Sequence, residues 1–374
     1  MISRRRWIIG GVALGGMAAC GPRPVTATQL KVVLLGQALI EHAPTAPEWP
    51  GHADIAARLS VANSVFTNLE TVIRGPRAEA PTRELLTLHA AGPDVLETLK
   101  SVDVNLLTTA NNHAFDLGSG GILDTLSAIH ATGLVSSGSG ESLAQATAPA
   151  IARTSAGPVA LVGFATGKVR DGGAATETRP GVNELRRGPD GVPDTADEAR
   201  ILGAIRAAAD RAELVIACHH NHDWEPDNAQ VPAWQQALAR RCIDAGADVF
   251  AGHGSPVPQG MGLYRGKPLL YGLGNFIFQT EKAIGSYPPE AWGGVIVCLT
   301  RQPDGNIETA IEPIVLNEIG LRGVDDMATR GFPTLASGTE AAAILSRIDA
   351  LSHPLGGQLE MSTTRATLVS PRSA

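Results

Sequence analysis

The sequence predicts a layered α/β or α+β sandwich in which helices flank packed sheets. Aliphatic runs alternate with Ala-rich helical stretches over most of the chain, and the later aliphatic runs follow one another without helices between them. Composition agrees with this reading. Of 374 residues, 44% are hydrophobic, 18% are charged and only 4% are aromatic, with 42 Gly and 25 Pro. Such a chain folds, with an aliphatic core and many tight turns. The balance of 30 basic to 37 acidic side chains, net −7, argues against a nucleic-acid binder. No apolar run reaches the ~18 residues of a membrane-spanning helix. The length fits one large domain, here read over residues 30–355. A leader (1–19) and linker (20–29) precede it, and a tail (356–374) follows.

The chain opens with MISRRRWIIGGVALGGMAAC. The basic head Arg4-Arg5-Arg6 precedes a 13-residue apolar run from Trp7 to Ala19, the length of a signal-peptide core. Ser3-Arg4-Arg5 resembles a twin-arginine export signal, and Met17-Ala18-Ala19-Cys20 a lipobox whose Cys20 would carry lipid. Cleavage before Cys20 would remove three arginines and no acid, taking the charge from −7 to −10. These features predict an exported lipoprotein of the cell envelope, touching the membrane through its N-terminal lipid alone. Cys218, Cys242 and Cys298 then remain. An odd number cannot complete a disulfide framework, so core thiols are expected, with one disulfide as the alternative.

The elements follow in order. Leu30–Leu35 is expected as a buried strand ending at Gly36-Gln37, and Val65–Leu69 as a second ending at Glu70. Pro93–Lys100 is a helix with Pro in its first turn, and Val102–Leu107 a strand ending in TTANNH. Helix Ser119–His130, strand Val159–Phe164, helix Thr195–Ala208 and strand Leu214–Cys218 come next. Helix Pro232–Ala245 leads to strand Ala247–Ala251. Leu269–Tyr271, Gly294–Leu299 and Ile307–Val315 read as strands, and Glu340–Leu351 as a closing helix. Residues 166–195 lack apolar periodicity and are expected as a functional loop or lid. Their Lys168, Arg170, Arg179, Arg186 and Arg187 would form either a positive rim or a solvated basic loop.

Polar residues able to bind metal or move protons cluster at the strand ends. They are Gln37, then Asn68 and Glu70, then Asn111, Asn112 and His113, then His219, His220, His222 and Asp223, then His253. In layered α/β proteins strand C-termini line one edge, so these loops are expected to converge on one crevice. Alternation along a strand would let His220 and His222 chelate together. Mixed imidazole, carboxylate and amide-oxygen ligands suit a borderline metal such as Mn, Fe, Zn or Ni.

The segment GADVFAGHGSPVPQGMGLYRGKPLLYGLGNFIFQ, with FTNLE and LLTTANNHAFDLG upstream, resembles the capsule-synthesis protein CapA family from about Lys31 to Leu355. That resemblance implies the calcineurin-like metallophosphatase fold and a two-metal site bridged by a carboxylate, here Glu70. It implies Asn112, His219 or His220, and His253 as ligands of one metal. His113 would stand beside the scissile bond and protonate the leaving group. The other metal would need an acid where Gln37 stands and a histidine where Pro256 stands. The expectation is therefore a one-metal site at Glu70, Asn112, His220 and His253, with His222 as a further ligand. A metal-free pocket is the alternative. Asp223 or Glu225 would orient the histidines, and Gln37, Asn111 and Asn275 would support the site. Trp224 and Trp234 either stack on a substrate or pack.

These residues point to metal-dependent hydrolysis or transfer at a phosphoester or amide, and the family resemblance implies capsule polymer metabolism of the poly-γ-glutamate type. The alternatives are a non-catalytic envelope protein that binds an anionic polymer, and peptide-epimerase-like proton transfer.

Overall fold

The computed structural model describes residues 29–44, 49–224 and 227–371, so Cys20 and Glu225 lie outside the described residues. Two large sheets pack face to face, each with helices on its outer side. The first holds ten strands, and its centre is a parallel set: Lys31–Leu39, Ser64–Leu69, Leu106–Thr108 and Val135–Ser137. Antiparallel strands Gly293–Arg301 and Ile307–Leu316 continue it on the other side. The second sheet has six strands, with Val159–Thr166, Leu214–Asn221, Val249–His253 and Lys267–Leu270 parallel at its centre.

Alternation along each strand sorts side chains between two destinations. Val32 and Leu34 on the first sheet, and Leu161, Ile216 and Cys218 on the second, meet in the core between the sheets. Val33 and Leu35 point outward onto the helices His52–Leu59 and Asp94–Lys100. Val215 and Ala217 point outward onto Thr195–Ala209 and Ala233–Asp244. The chain is thus layered helix–sheet–sheet–helix, as expected.

Three strands run further than their apolar residues suggest. The first extends to Leu39, with register irregularities on either side of Gln37, and such bulges re-aim side chains. Leu214–Asn221 carries two histidines inside the ladder, and Val249–His253 ends on a third. Close sheet packing demands glycine beside that third histidine: a Cβ on Gly252 would lie 1.8 Å from the Tyr271 carbonyl oxygen. The 166–195 loop is pinned rather than free. Its Gly181–Val182 strand pairs with Ser139–Gly140. The three cysteines are free, Cys218 and Cys242 fully buried.

The expected tail is part of the fold. Gln358–Met361 and Ala366–Val369 form a hairpin on Ile307–Leu316, and Leu359, Ala366 and Leu368 join the core between the sheets. Polar and apolar residues largely alternate in both, but each run is only four residues long, too short for the alternation to stand out from a tail. Deleting residues 356–374 should lower stability by ~3–5 kcal/mol through lost burial, and should expose an edge strand prone to self-association. Urea unfolding of shortened and full chains tests this, and an unchanged midpoint would restore the tail.

Candidate metal centre

The strand ends of both sheets meet at one cleft of about 340 Å³, whose lining includes Gln37, Glu70, Asn112, His113 and His222. A slightly larger cavity, about 380 Å³, lies under the Gly338–Ser352 helix beside Trp292 and Arg347. It has no histidine or nucleophile in its lining, so the chemistry belongs to the cleft.

Strand parity decides between the neighbouring histidines. His220 shares the inward face of Ile216 and Cys218, whereas His219 shares the outward face of Val215 and Ala217. His219 accordingly stacks on Phe164, ring centroids 4.8 Å apart, and donates through Nε2 to Thr166 Oγ1 (3.0 Å). Trp234 packs against it from the outer layer, not in the cleft. Of the alternatives His219 or His220, the structure selects His220.

The His220 ring is wedged between two amides of the opposite sheet. Asn68 Nδ2 donates to Nδ1 (3.2 Å), and Nε2 donates to Asn112 Oδ1 (2.8 Å). Asn111 braces that loop: its Nδ2 donates to Asn68 Oδ1 (3.0 Å) and the Leu69 carbonyl (2.7 Å), while its Oδ1 accepts from the His113 backbone N–H. Glu70 then comes within 3.6 Å of His220 Nε2 and 4.0 Å of His222 Nε2.

These approaches are not ion pairs in the metal-free chain. Burial raises Glu70 to about 8, above its ordinary 4.5, so its carboxyl is mostly protonated at neutral pH. Burial, with the neighbouring histidines, holds His220 well below its ordinary value, and burial does the same to His222. Three buried polar atoms here have no hydrogen-bond partner: Glu70 Oε2 and both ring nitrogens of His222. Orphaned buried atoms are rare and costly. Ligand atoms of Glu70, His220 and His222 all lie within 4.8 Å of one another. The donor set, two imidazoles and a carboxylate with an amide oxygen beside them, fits a borderline divalent metal.

His253 departs from its expected place. Its Nε2 donates to the Leu35 carbonyl (3.0 Å) and Cys218 Sγ lies 3.4 Å from Nδ1, partners that lie away from Glu70, whereas His220 Nε2 faces Asn112, itself an expected ligand, and Glu70. His222 stands in the cluster in its stead. Asp223 does not orient the histidines either: its carboxylate pairs with Arg187 (2.9 Å). Asn275 sits beneath the cleft, donating to the Pro256 (3.1 Å) and Ala291 (2.9 Å) carbonyls. Gln37 Oε1 accepts from the Gly254 N–H (2.8 Å).

His113 is held by a residue the sequence reading passed over. Its Nδ1 bonds Asp116 Oδ2 (2.8 Å), three residues on in the same turn, and Asp116 in turn pairs with Arg83. Arg83 also donates to the Asn112 carbonyl, clamping the Asn-Asn-His turn. Burial raises Asp116 to about 6 against the pull of Arg83. The His113 ring itself is held neutral, chiefly by burial and then by His89. His89 packs 4.3 Å from it and is bonded to Glu41. The Asn-Asn-His-x-x-Asp spacing was the available signal for Asp116, whereas nothing local marks Arg83 or His89.

Residues 32–280 match the family described as "Bacterial capsule synthesis protein PGA_cap". The chain belongs to that family. Among curated relatives, y4uA of Sinorhizobium fredii, an uncharacterized protein, is 28% identical over 88% of this chain and 90% of its own. A probable polyglutamine synthesis accessory protein of Mycobacterium tuberculosis is 31% identical over 62% of this chain and 60% of its own. The PGA biosynthesis protein CapA of Bacillus subtilis is 32% identical over 49% of this chain and 45% of its own. The fold is the layered metallophosphatase-like arrangement of the PGA_cap family, and the membership places the chain among bacterial capsule synthesis proteins.

A sign reversal tests the cluster. Without metal, the raised Glu70 pKa adds stability that is fully present below about 4.5 and is lost as pH rises through about 8. Glu70→Gln should therefore be the more stable protein at pH 8 without metal, by ~1–3 kcal/mol. With saturating Zn²⁺ the wild type should overtake it, because only the carboxylate is a good ligand. Thermal melts with chelator and with zinc read this, and the same ordering in both would remove Glu70 from the ligand set.

Proposed function

We propose that this chain is an exported, lipid-anchored PGA_cap protein. In this reading it uses one divalent transition metal to hydrolyse or transfer an amide or phosphoester bond in an anionic, poly-γ-glutamate-type capsule polymer. The observation that carries the catalytic reading is the Glu70–His220–His222 cluster, its first two members buried, with three polar atoms left without a hydrogen-bond partner. The basic head, short apolar run and Ala-Ala-Cys20 support export and lipidation.

Glu70, His220 and His222 would hold the metal, with the Asn112 amide oxygen beside them. A bound metal supplies Lewis acidity and a water of lowered pKa. The chain's own residues do the rest. With His113 neutral, its Nδ1–H is given to Asp116, and Nε2 is the remaining proton acceptor. His113 thus takes a proton from the incoming nucleophile first and returns it to the leaving group later. Asp116 and Arg83 keep the ring in that orientation.

A single metal is favoured because the second metal's ligand positions are otherwise engaged. Gln37, at the strand irregularity, spends its amide oxygen on the Gly254 N–H, and Pro256 offers only a carbonyl already bonded to Asn275.

Purified full-length protein is expected to carry close to one transition-metal ion per chain by mass spectrometry, and His220→Asn to carry almost none. His113→Asn should keep the metal while losing ~10²-fold or more in turnover of poly-γ-glutamate. Two ions per chain, or none, would sink the mononuclear reading.

A further inference from the structure

Of the five basic residues in the 166–195 loop, four are committed away from the cleft. Arg170 donates to the Thr82 carbonyl and Arg179 to that of Ala174, while Arg186 pairs with Asp197 and Arg187 with Asp223. Lys168 alone lines the cleft beside the His cluster. It is presented there by two successive left-handed residues, Gly167 at φ 78° and Lys168 at φ 54°. A lysine in that conformation is strained, and local backbone strain collects at functional sites.

A second cation reaches the same cleft from another part of the chain. Lys282, shortly after strand Asn275–Phe278, also lines it. Each ammonium lies near an aromatic ring of the cleft, Lys168 at 5.9 Å from Trp224 and Lys282 at 5.0 Å from Tyr287. Among the described residues the lysines engaged in ion pairs are Lys100 and Lys267, so neither cleft lysine has a carboxylate partner there. The one acid of the lining is Glu70, and Arg83 is engaged by Asp116 and the Asn112 carbonyl. An acidic chain of net charge −7 thus presents a locally cationic cleft.

We propose that Lys168 and Lys282 form a two-point carboxylate clamp that lays a carboxylate-bearing chain across the cleft and sets its register against His113. The inference rests on the catalytic reading above and assigns its specificity. Two separate lysines are point charges, each suited to one of two spaced carboxylates. A compact phosphate would be served better by a free arginine fork, and the only arginine of the lining is engaged. Trp224 and Tyr287 offer apolar faces to methylenes between the carboxylates.

The test measures binding, not turnover, by intrinsic tryptophan fluorescence of full-length protein, both metal-stripped and zinc-loaded. The probes are a γ-linked glutamate hexamer and inorganic phosphate. The hexamer should bind wild type with or without zinc, more weakly as salt rises. Lys168→Met and Lys282→Met should each weaken it about fivefold, and the double variant by at least tenfold. Phosphate affinity should be unchanged by both. Unaltered hexamer binding in the double variant, or equal losses for both probes, overturns the clamp. Zinc taken up by a wild type that ignores the hexamer would sink the clamp while sparing the metal reading. Hexamer binding lost with the lysines in a protein that takes up no zinc would sink the metal reading alone.

Discussion

The site depends on one buried contact: the His220 imidazole held between Asn68 and Asn112 across the junction of the two sheets. An isolated neutral imidazole in this position would leave a donor and an acceptor unmet, at a cost of ~1–3 kcal/mol each. Two amides meet both needs, and in doing so fix the distance between the strand Leu214–Asn221 and the ends of Ser64–Leu69 and Leu106–Thr108. His253 makes a second tie of the same kind, from Val249–His253 to the Leu35 carbonyl. These hydrogen bonds hold the strand ends together where apolar packing stops. They let Glu70 and His222 stay buried with atoms unsatisfied.

The architecture was legible because its signals are local. Aliphatic runs such as ELVIAC and KVVLL name buried strands, and Ala-rich stretches name helices that need only a stripe of apolar residues. What escaped was structure whose stabilisation comes from partners far away. Strand Asn275–Phe278 pairs with Lys31–Leu39, and the C-terminal hairpin borrows its core from the Ile307–Leu316 edge. The histidines inside Leu214–Asn221 were read as following the strand, because imidazoles in a ladder look polar until their cross-sheet partners are known.

Site residues divide along the same line. Glu70, Asn112, His113, His220 and His222 were readable from motif and alternation, and they converge. His219 failed as a ligand through parity, a property visible only once the strand's inward face is assigned. Asp223, expected to steady the histidines, pairs instead with a loop arginine that approaches from outside. Lys282 and Arg83 come from segments with no motif of their own, so only folding reveals that they share a cleft with His113.

The electrostatics of the cleft also bear on how many cations it accepts. Binding a divalent ion would release the Glu70 proton, leaving a net local charge near +1 with the histidines neutral. A second divalent ion without a second carboxylate would raise that to about +3 in a largely buried site, where desolvation is hard to offset. Gln37 contributes an amide dipole already given to the Gly254 N–H, so it cannot supply the missing charge. Under the one-metal proposal the cleft lysines add to that positive charge. Together they would leave a positive excess that an anionic substrate, arriving with its own carboxylates, would neutralise.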